Sequence, residues 1–336
     1  MTATVTDSKT LPPAEESEGI TLARHWRTPL GLGAAAILAF LVFGLGTAGG
    51  QSTNFAISRA TDFVKFDSFQ VPSRGLAIGG AIVALLLAGV SAYFASQVKR
   101  NPWWLPTVYA VAIMLSLLAW AGAGKGTLIQ VTGLLTGAVV LSVPLVFGAL
   151  SGVICERVGV INIAIEGQLL CGAFLAAVLA SATGNPYVGL IFAPLAGALV
   201  GALLALFAVK YWVDQIVVGV VLNVLVIGIT NFLYGTLLTD NPSLNQSLGL
   251  PRLPIPLLSQ IPIVGPVLFN HNLLVYLMYI VVITLNIMLF KSRWGLRLRS
   301  VGEHPKAADT VGIKVNRTRV RNTILGGAVA GLGGAF

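Results

Sequence analysis

Long runs of apolar residues, separated by short polar stretches, occupy most of the chain from residue 29 onward. A helix needs about 20 apolar residues to cross the roughly 30 Å hydrocarbon core of a bilayer. Eight runs reach this length, and the pattern therefore predicts eight membrane-spanning helices. The predicted spans are residues 29–49, 76–95, 103–122, 128–154, 159–180, 187–209, 216–238 and 273–290.

Two apolar runs depart from this regular pattern. The fourth contains Gly133, Gly137 and Pro144, which favour a bent or broken helix. A ninth run begins at Thr323 and reaches Phe336 after 14 residues, which is too short to cross a bilayer at about 1.5 Å per residue. We therefore expect a truncated ninth span and a sequence that is incomplete at its C-terminal end.

The composition indicates that lipid, not water, surrounds most of the chain. Hydrophobic residues make up 56% of it and charged residues only 10%, whereas soluble domains carry about 25% charged residues. The 38 glycines suit helices that pack closely in lipid, where van der Waals contact replaces the hydrophobic effect. The predicted fold class is an all-α membrane protein, a polytopic transmembrane helical bundle with at least eight spans and a truncated ninth.

The lysines and arginines between the apolar runs are distributed asymmetrically. With the amino terminus inside, 16 of the 21 basic residues lie on the cytoplasmic side of the predicted spans and five on the outer side. Because cytoplasmic loops are enriched in Lys and Arg, this distribution predicts a multi-pass protein of the plasma membrane with a cytoplasmic amino terminus. The same topology explains the net charge of +9, and no nucleic-acid partner is expected.

The polar segments divide the chain into a tail, a membrane domain and two long loops. Residues 1–28 predict a disordered cytoplasmic tail, and residues 29–336 the transmembrane domain, incomplete at its C-terminus. The loop 240–270 holds six of the 16 prolines and predicts a stiff external lid or interfacial segment. The loop 291–322 is the largest cytoplasmic segment.

One ionisable residue lies inside a predicted span. Gly159, Asn162 and Glu166 fall at helical spacing on one face of the fifth span, which places the carboxylate roughly two turns into the membrane. A charge at that depth is costly unless it faces a cavity or a partner. Two interpretations remain open: Glu166 belongs to a solute pathway, or it is a structural carboxylate that is neutral or paired with a neighbouring helix.

A second polar stripe lies on the seventh predicted span. Gly219, Asn223, Thr230 and Tyr234 recur there at helical spacing. Asn and Thr side chains commonly hydrogen-bond between membrane helices, so the stripe predicts either interhelical contacts or a polar path. Asp214, just before this span, is predicted to cap its helix.

Motifs for catalysis, nucleotide binding and metal binding are weak. Gly44, Gly46 and Gly49 match GxGxxG but lie in a predicted span with no preceding strand, and the GKGT around Lys125 lacks the spacing of a phosphate loop. The two cysteines have neither metal nor disulfide spacing, and the three histidines lie outside the predicted spans. We therefore expect no catalytic residues, no metal and no cofactor on this chain, and we do not expect an enzyme.

Four stretches resemble the permeases of ATP-binding-cassette importers. They are SGVICERVGVINIAIEGQ at 151–168, TGNP at 183–186, DQIVVGVVLN at 214–223 and GLRLRSVGEHPKAADTVGIKV at 295–315. Together they are similar to the branched-chain amino acid and simple-sugar permease superfamily, and most of all to its nucleoside (guanosine-type) and simple-sugar branch. The resemblance extends from about residue 128 to residue 336.

The resemblance implies a transport function and a set of partners. It implies a permease subunit that moves a nucleoside or simple sugar across the cytoplasmic membrane, energised by a separate ATPase subunit. A second permease subunit, an extracytoplasmic solute-binding protein and membrane lipid would complete the assembly. The residues expected to line or shape the substrate pathway are Asn162, Glu166, Gln168 and Asn223.

A short helix is predicted in the cytoplasmic loop, because Pro305 favours its start and Gly312 its end. The resemblance implies that this helix, at residues 303–312, docks into a groove of the ATPase subunit. A basic loop that contacts anionic lipid is the alternative, although it does not explain the helix. The residues expected to couple the chain to the ATPase are Gly302, Glu303, Pro305, Ala307, Ala308 and Gly312.

The residues give less support to two other function classes. A cation-coupled secondary transporter of a small polar solute usually needs an ionisable cluster at mid-depth, and the chain offers chiefly Glu166. A membrane-embedded enzyme would need a catalytic constellation, which the sequence lacks. The solute itself stays open between a nucleoside, a sugar and an amino acid, as does homodimeric or heterodimeric pairing.

Overall fold

The computed structural model describes residues 26–59, 62–246 and 248–336. Within these residues eight helices are long and apolar enough to cross a membrane, and the predicted fold class, an all-α multi-pass bundle, is confirmed. Residues 1–25 of the predicted tail lie outside the described residues. The eight helices are Arg27–Leu45, Ser73–Ser96, Trp104–Gly122, Val131–Arg157, Ile165–Thr183, Pro186–Lys210, Gln215–Leu238 and Leu273–Lys291.

Seven of the eight predicted spans agree with these helices to within four residues at each end. Of the two predicted alternatives for the fourth span, a bent or a broken helix, the broken helix is wrong, because the span is helical without interruption from Val131 to Arg157 with Pro144 inside it. Proline is tolerated in a membrane helix where neighbouring groups satisfy the freed carbonyl.

The fifth span was predicted six residues too early. The helix before it ends at Arg157, and the chain leaves it through Gly159, which has a left-handed φ of +77°. The Val160 N–H then donates to the Cys155 carbonyl at 2.9 Å, a bond that closes a helix end. The next helix begins only at Ile165.

The predicted helical face of Gly159, Asn162 and Glu166 is therefore wrong. Asn162 lies in a non-helical connection, residues 158–164, and Glu166 lies in the first turn of the following helix. The connection is as apolar as the helices around it, so hydropathy alone does not distinguish it from a span.

Residues 26–57 and 66–130 belong to one compact unit. Its helices are α1 (Arg27–Ala39), which continues as a π-helical turn (Phe40–Leu45), α2 (Ser73–Ser96) and α3 (Trp104–Gly122). Its strands are β1 (Ser52–Ala56), β2 (Phe69–Pro72) and β3 (Leu128–Gln130). The strand order is β2-β1-β3; β1 is antiparallel to β2, with Ser52 opposite Pro72, and parallel to β3, with Asn54 opposite Leu128.

The helices of this unit pack through small residues. The buried face of α2 consists of Ala and Ser at intervals of three or four, whereas Leu86 and Tyr93 point outward and are 66% and 63% exposed. The Ser116 hydroxyl on α3 donates to the Ala77 carbonyl on α2 at 2.7 Å. Small residues inside and large ones outside are the arrangement expected of helices that approach closely in lipid.

The second compact unit contains residues 131–336 and the short segment 58–65 that follows β1, within the described residues. Its long helices are α4 (Val131–Arg157), α5 (Ile165–Thr183), α6 (Pro186–Ala205, extended by the π-helical turn Leu206–Lys210), α7 (Gln215–Leu233, extended by the π-helical turn Tyr234–Leu238), α9 (Leu273–Lys291) and α12 (Val315–Gly334). The shorter elements are 3-10 turns at Pro242–Leu244 and Leu258–Gln260, β4 (Arg252–Pro254), α8 (Val264–Leu268), β5 (Asn270–Asn272), α10 (Arg293–Glu303) and α11 (Pro305–Thr310). Strands β4 and β5 pair antiparallel, with Leu253 opposite His271.

Glycines bring α6 and α12 into backbone contact. A Cβ placed on Gly197 would lie 2.6 Å from the Gly331 Cα, and one placed on Gly331 would lie 2.8 Å from the Gly197 Cα. One turn away, a Cβ on Gly327 would lie 2.9 Å from the Gly201 Cα. No side chain fits between the two helices at these positions, and this close approach defines the centre of the second unit.

The short helix predicted in the loop 291–322 is present as α11, which begins at Pro305 and is followed by Gly312 with a φ of +85°. The preceding helix α10 was not predicted, and α12 begins at Val315, inside the segment predicted to be a loop. Hydropathy does not detect α10 or the first turns of α12, because basic residues occupy their exposed faces. Ala308 of α11 is 3% exposed and packs in a core with Leu298, Val301, Val158, Val160, Leu289, Cys155 and Val209.

Candidate functional site

A buried polar network joins the end of α4 to the start of α5. Asn162 Nδ2 donates to Ser151 Oγ at 3.1 Å and to Gln168 Oε1 at 3.0 Å, and Gln168 Nε2 donates to Asn162 Oδ1 at 3.3 Å. Ser151 and Gln168 are fully buried, and Asn162 is half-buried. Because polar groups are costly to bury without partners, the network favours one conformation of the connection 158–164.

Asn223 of α7 holds the same connection from the other side. Its Oδ1 accepts a hydrogen bond from the Gly167 N–H at 2.7 Å, and its Nδ2 donates to the Ile163 carbonyl at 2.9 Å. The Gly167 N–H is one of the first-turn donors that a helix leaves without a partner. Gln215, at the start of α7, accepts from the Ile161 N–H at 2.6 Å. Side-chain amides thus replace the backbone bonds that the break between α4 and α5 removes.

The polar stripe on α7 consequently divides into different roles. The sequence predicted either interhelical contacts or a polar path for this stripe, and Asn223 makes interhelical contacts. Thr230 donates within its own helix, to the Val226 carbonyl at 2.8 Å, and Tyr234 is 53% exposed. Asp214 accepts from the Ile216 and Val217 N–H groups, so the predicted helix cap is confirmed.

Replacing Asn223 with alanine is expected to lower the free energy of unfolding by about 2 kcal/mol, because two backbone groups at the helix break lose their partners. Asn231→Ala, on an exposed position of the same helix, is the matched control and should change little. Thermal unfolding of both purified variants in one detergent measures the difference. Equal midpoints would show that the Asn223 bonds do not stabilise the break.

Glu166 is exposed in the first turn of α5. It borders a depression of about 390 Å³. The other residues around this depression are apolar or glycine: Pro144, Leu169, Leu170, Ala173, Gly333, Gly334 and Phe336. A carboxylate on the surface of a membrane helix is costly against hydrocarbon, so this face is suited to water or to a polar partner.

Helices α10 and α12 contact the break directly. A Cβ on Gly302 of α10 would lie 3.1 Å from the Arg157 carbonyl carbon and 3.3 Å from the Gly159 nitrogen. Arg319 of α12 donates from Nε to the Val158 carbonyl at 3.4 Å. A displacement of α10 and α11 would therefore reach the connection that carries the polar network without an intervening element.

The sequence identified part of this arrangement. Asn162, Gln168 and Asn223 are brought together around the break, whereas Glu166 lies on the surface beside it. The contributions of Ser151 and Gln215 were not predicted, although both lie in stretches that carry the resemblance. Among the described residues, no group of three or more His, Cys, Asp or Glu side chains could hold a metal ion. The arrangement offers hydrogen bonds and conformational coupling rather than reactive groups.

Comparison with known proteins identifies relatives of the part of the chain that contains α4 to α12. Residues 134–336 match the family described as the permease component of branched-chain amino acid transport systems. The nucleoside ABC transporter permease protein NupC of Lactococcus lactis subsp. cremoris is 38% identical over 205 residues, which are 59% of this chain and 64% of NupC. The guanosine ABC transporter permease protein NupQ of Bacillus subtilis is 37% identical over 226 residues, 62% of this chain and 67% of NupQ. The chain thus spans about two thirds of the length of these curated relatives, and no solved structure matches it.

Proposed function

Because the chain belongs to the family of permease components of branched-chain amino acid transport systems, we propose that it is the permease subunit of an ATP-binding-cassette importer for a nucleoside or a simple sugar. Such a subunit carries solute without changing it chemically, and hydrolysis of ATP takes place on a partner chain. Two relatives whose names state nucleoside and guanosine transport support the nucleoside as the first solute to test.

One structural observation carries the proposal. The family match covers the polar network at the α4–α5 break as well as α10 and α11, and Val158 and Val160 of the connection share one core with these two helices. A motor that moves α11 can therefore change the membrane connection at the start of α5. Coupling of this kind needs two discrete arrangements of packed elements, which a helix break supplies more readily than a continuous helix.

The predicted pathway residues take two roles in this proposal. Glu166, which is exposed beside the break, faces the solute pathway. Asn162, Gln168 and Asn223 shape the pathway by fixing the connection, since their polar atoms are used in bonds to one another or to backbone. The proposed coupling residues are those of α11 and its flanks: Gly302, Glu303, Pro305, Ala307, Ala308 and Gly312.

The partners and the orientation follow from the same proposal. The amino terminus and the loop 291–322 face the cytoplasm, where an ATPase subunit binds α11. A second permease subunit completes the membrane domain, and an extracytoplasmic solute-binding protein meets the external segment 240–270. The excess of Lys and Arg in segments on the cytoplasmic side supports this orientation.

Uptake into proteoliposomes tests the function. The full chain would be reconstituted with candidate ATPase, second permease and binding-protein subunits, and labelled guanosine and glucose would be offered separately. We expect accumulation only when ATP is supplied on the cytoplasmic side. Accumulation driven by an ion gradient without nucleotide would instead identify a cation-coupled secondary transporter.

Replacing Glu166 with leucine tests whether this side chain faces the solute pathway or the lipid. If Glu166 faces a polar pathway, Glu166→Leu should reduce uptake at least about tenfold while the protein remains folded, and Glu166→Gln should retain part of the activity. A lipid-facing carboxylate predicts the opposite, because its removal would raise thermal stability and leave uptake intact. Initial uptake rates and thermal midpoints of the same preparations decide between the two.

A further inference from the structure

The turn between α6 and α7 holds a tryptophan outward in a strained backbone conformation. Trp212 is 69% exposed, and its φ of +59° lies in the left-handed region that bulky residues rarely adopt. The residues before and after Trp212 are both bonded to the π-helical turn that extends α6. The Tyr211 N–H donates to the Leu206 carbonyl at 3.1 Å, and the Val213 N–H donates to the Phe207 carbonyl at 3.0 Å. Strain that the surrounding structure enforces at an exposed position points to a function for the side chain.

Trp212 lines two furrows of opposite charge. The first, of about 500 Å³, contains the carboxylates of Glu156 and Asp214. The second, of about 680 Å³, runs along α11 and the start of α12. The second furrow contains one acid, Asp309, and four basic residues, Lys306, Lys314, Arg317 and Arg319.

This charge pattern distinguishes a protein partner from a lipid surface. Tryptophan is common at membrane interfaces, but the cytoplasmic leaflet carries negative charge only. A membrane would attract the furrow with Lys306 and Lys314 and repel the furrow with Glu156. A protein surface can carry the reverse pattern on both sides of one aromatic side chain, and tryptophan is among the residues that contribute most to protein interfaces.

We propose that Trp212 and its two furrows form a second contact surface for the ATPase subunit, beside α11, and that this surface sets the orientation in which α11 docks. The matching ATPase surface carries basic residues opposite Glu156 and acidic residues opposite Lys306 and Lys314. The inference rests on the proposed function. It adds the α6–α7 turn, which lies outside the expected coupling residues, to the cytoplasmic docking surface.

Binding of the ATPase subunit tests the role of Trp212. The probe is the purified ATPase subunit that supports uptake in the transport assay, and its affinity is measured against the full chain in nanodiscs. Trp212→Ala should weaken binding about thirty-fold, in the range of an interface hot spot, whereas Trp212→Phe should keep most of the affinity. Trp103→Ala is the matched control, since Trp103 is an 83% exposed tryptophan in the first unit.

A glycine substitution separates docking from folding. Trp212→Gly removes the ring but suits a φ of +59°, so the thermal midpoint should stay unchanged or rise while the affinity falls as in Trp212→Ala. The charge reversals Glu156→Lys and Lys306→Glu should each weaken binding about tenfold at low salt, with a smaller effect at high salt. Lys99→Glu, at an exposed lysine of the first unit, should leave the affinity unchanged.

The outcomes separate this inference from the proposed function. If wild type binds the ATPase subunit and an α11 substitution abolishes binding, but Trp212→Ala binds like wild type, the second surface is refuted and the function stands. If binding changes only in nanodiscs that contain anionic lipid, Trp212 is a lipid contact and the inference is refuted. If no candidate ATPase subunit supports ATP-driven uptake by the wild type or binds to it, both the function and the inference fail.

Discussion

Uptake driven by ATP is expected to fall to background when Ala307 is replaced by arginine, while the variant inserts and folds like wild type. Ala307 is on an exposed face of α11. A helix of six residues offers an ATPase groove little area, so one long charged side chain at this position prevents close docking. Uptake rates in proteoliposomes, with thermal midpoints of the same preparations, measure the effect.

Two further substitutions make this experiment specific. Ala307→Ser adds a single oxygen and should transport like wild type. Ala308→Arg should fail for a different reason, because Ala308 is 3% exposed in the core that α11 shares with α10 and the α4–α5 connection, and an unpaired charge there destabilises the fold. Normal uptake by folded Ala307→Arg would remove α11 from the coupling mechanism.

Replacing Gly331 with valine is expected to prevent α12 from packing against α6. Even a methyl group at this position would lie 2.8 Å from the Gly197 Cα, and neither backbone can move away without losing the contacts of the neighbouring turn. Overpacking of a side chain typically costs about 1 to 3 kcal/mol, and a backbone collision belongs at the upper end of that range. We expect a lower yield of folded protein and a clearly lower thermal midpoint.

The chain supplies both a control and a reporter for this measurement. Gly228→Val is the control, because a Cβ at Gly228 on α7 meets no atom within 4 Å. Cys155 is fully buried and free, whereas Cys171 is only half-buried. With Cys171 replaced by serine in both variants, a thiol-reactive dye in detergent reports the loss of tertiary structure around Cys155. Equal midpoints for Gly331→Val and Gly228→Val would show that the backbone contact between α6 and α12 does not contribute to stability.

The break between α4 and α5 could not be predicted from the sequence. Residues 158–164 are apolar enough to extend a span, and only the left-handed Gly159 and the side-chain bonds from Asn223 and Gln215 reveal a connection. Those bonds join residues more than 50 positions apart in the chain. A glycine that ends a helix and one that packs between helices look alike in a sequence with 38 of them.

The short helix α11 illustrates the opposite case. Pro305 and Gly312 predicted its start and its end because both residues act through local backbone geometry. Which of its two alanines is accessible was not predictable, since the burial of Ala308 depends on Leu298 and Val158 from other elements. The same limitation applies to Trp212, whose outward position follows from the strained turn and not from its residue type.

The sequence by itself determined the number of long membrane helices, their approximate ends and the fold class, because the cost of placing polar residues in hydrocarbon acts on every residue independently of its neighbours. Only the tertiary structure decided which polar side chains satisfy one another and which remain exposed. It brings Asn162, Gln168 and Asn223 together at the break and leaves Glu166 on the surface. These outcomes depend on close contacts between distant segments, and such contacts exist only after the helices have packed.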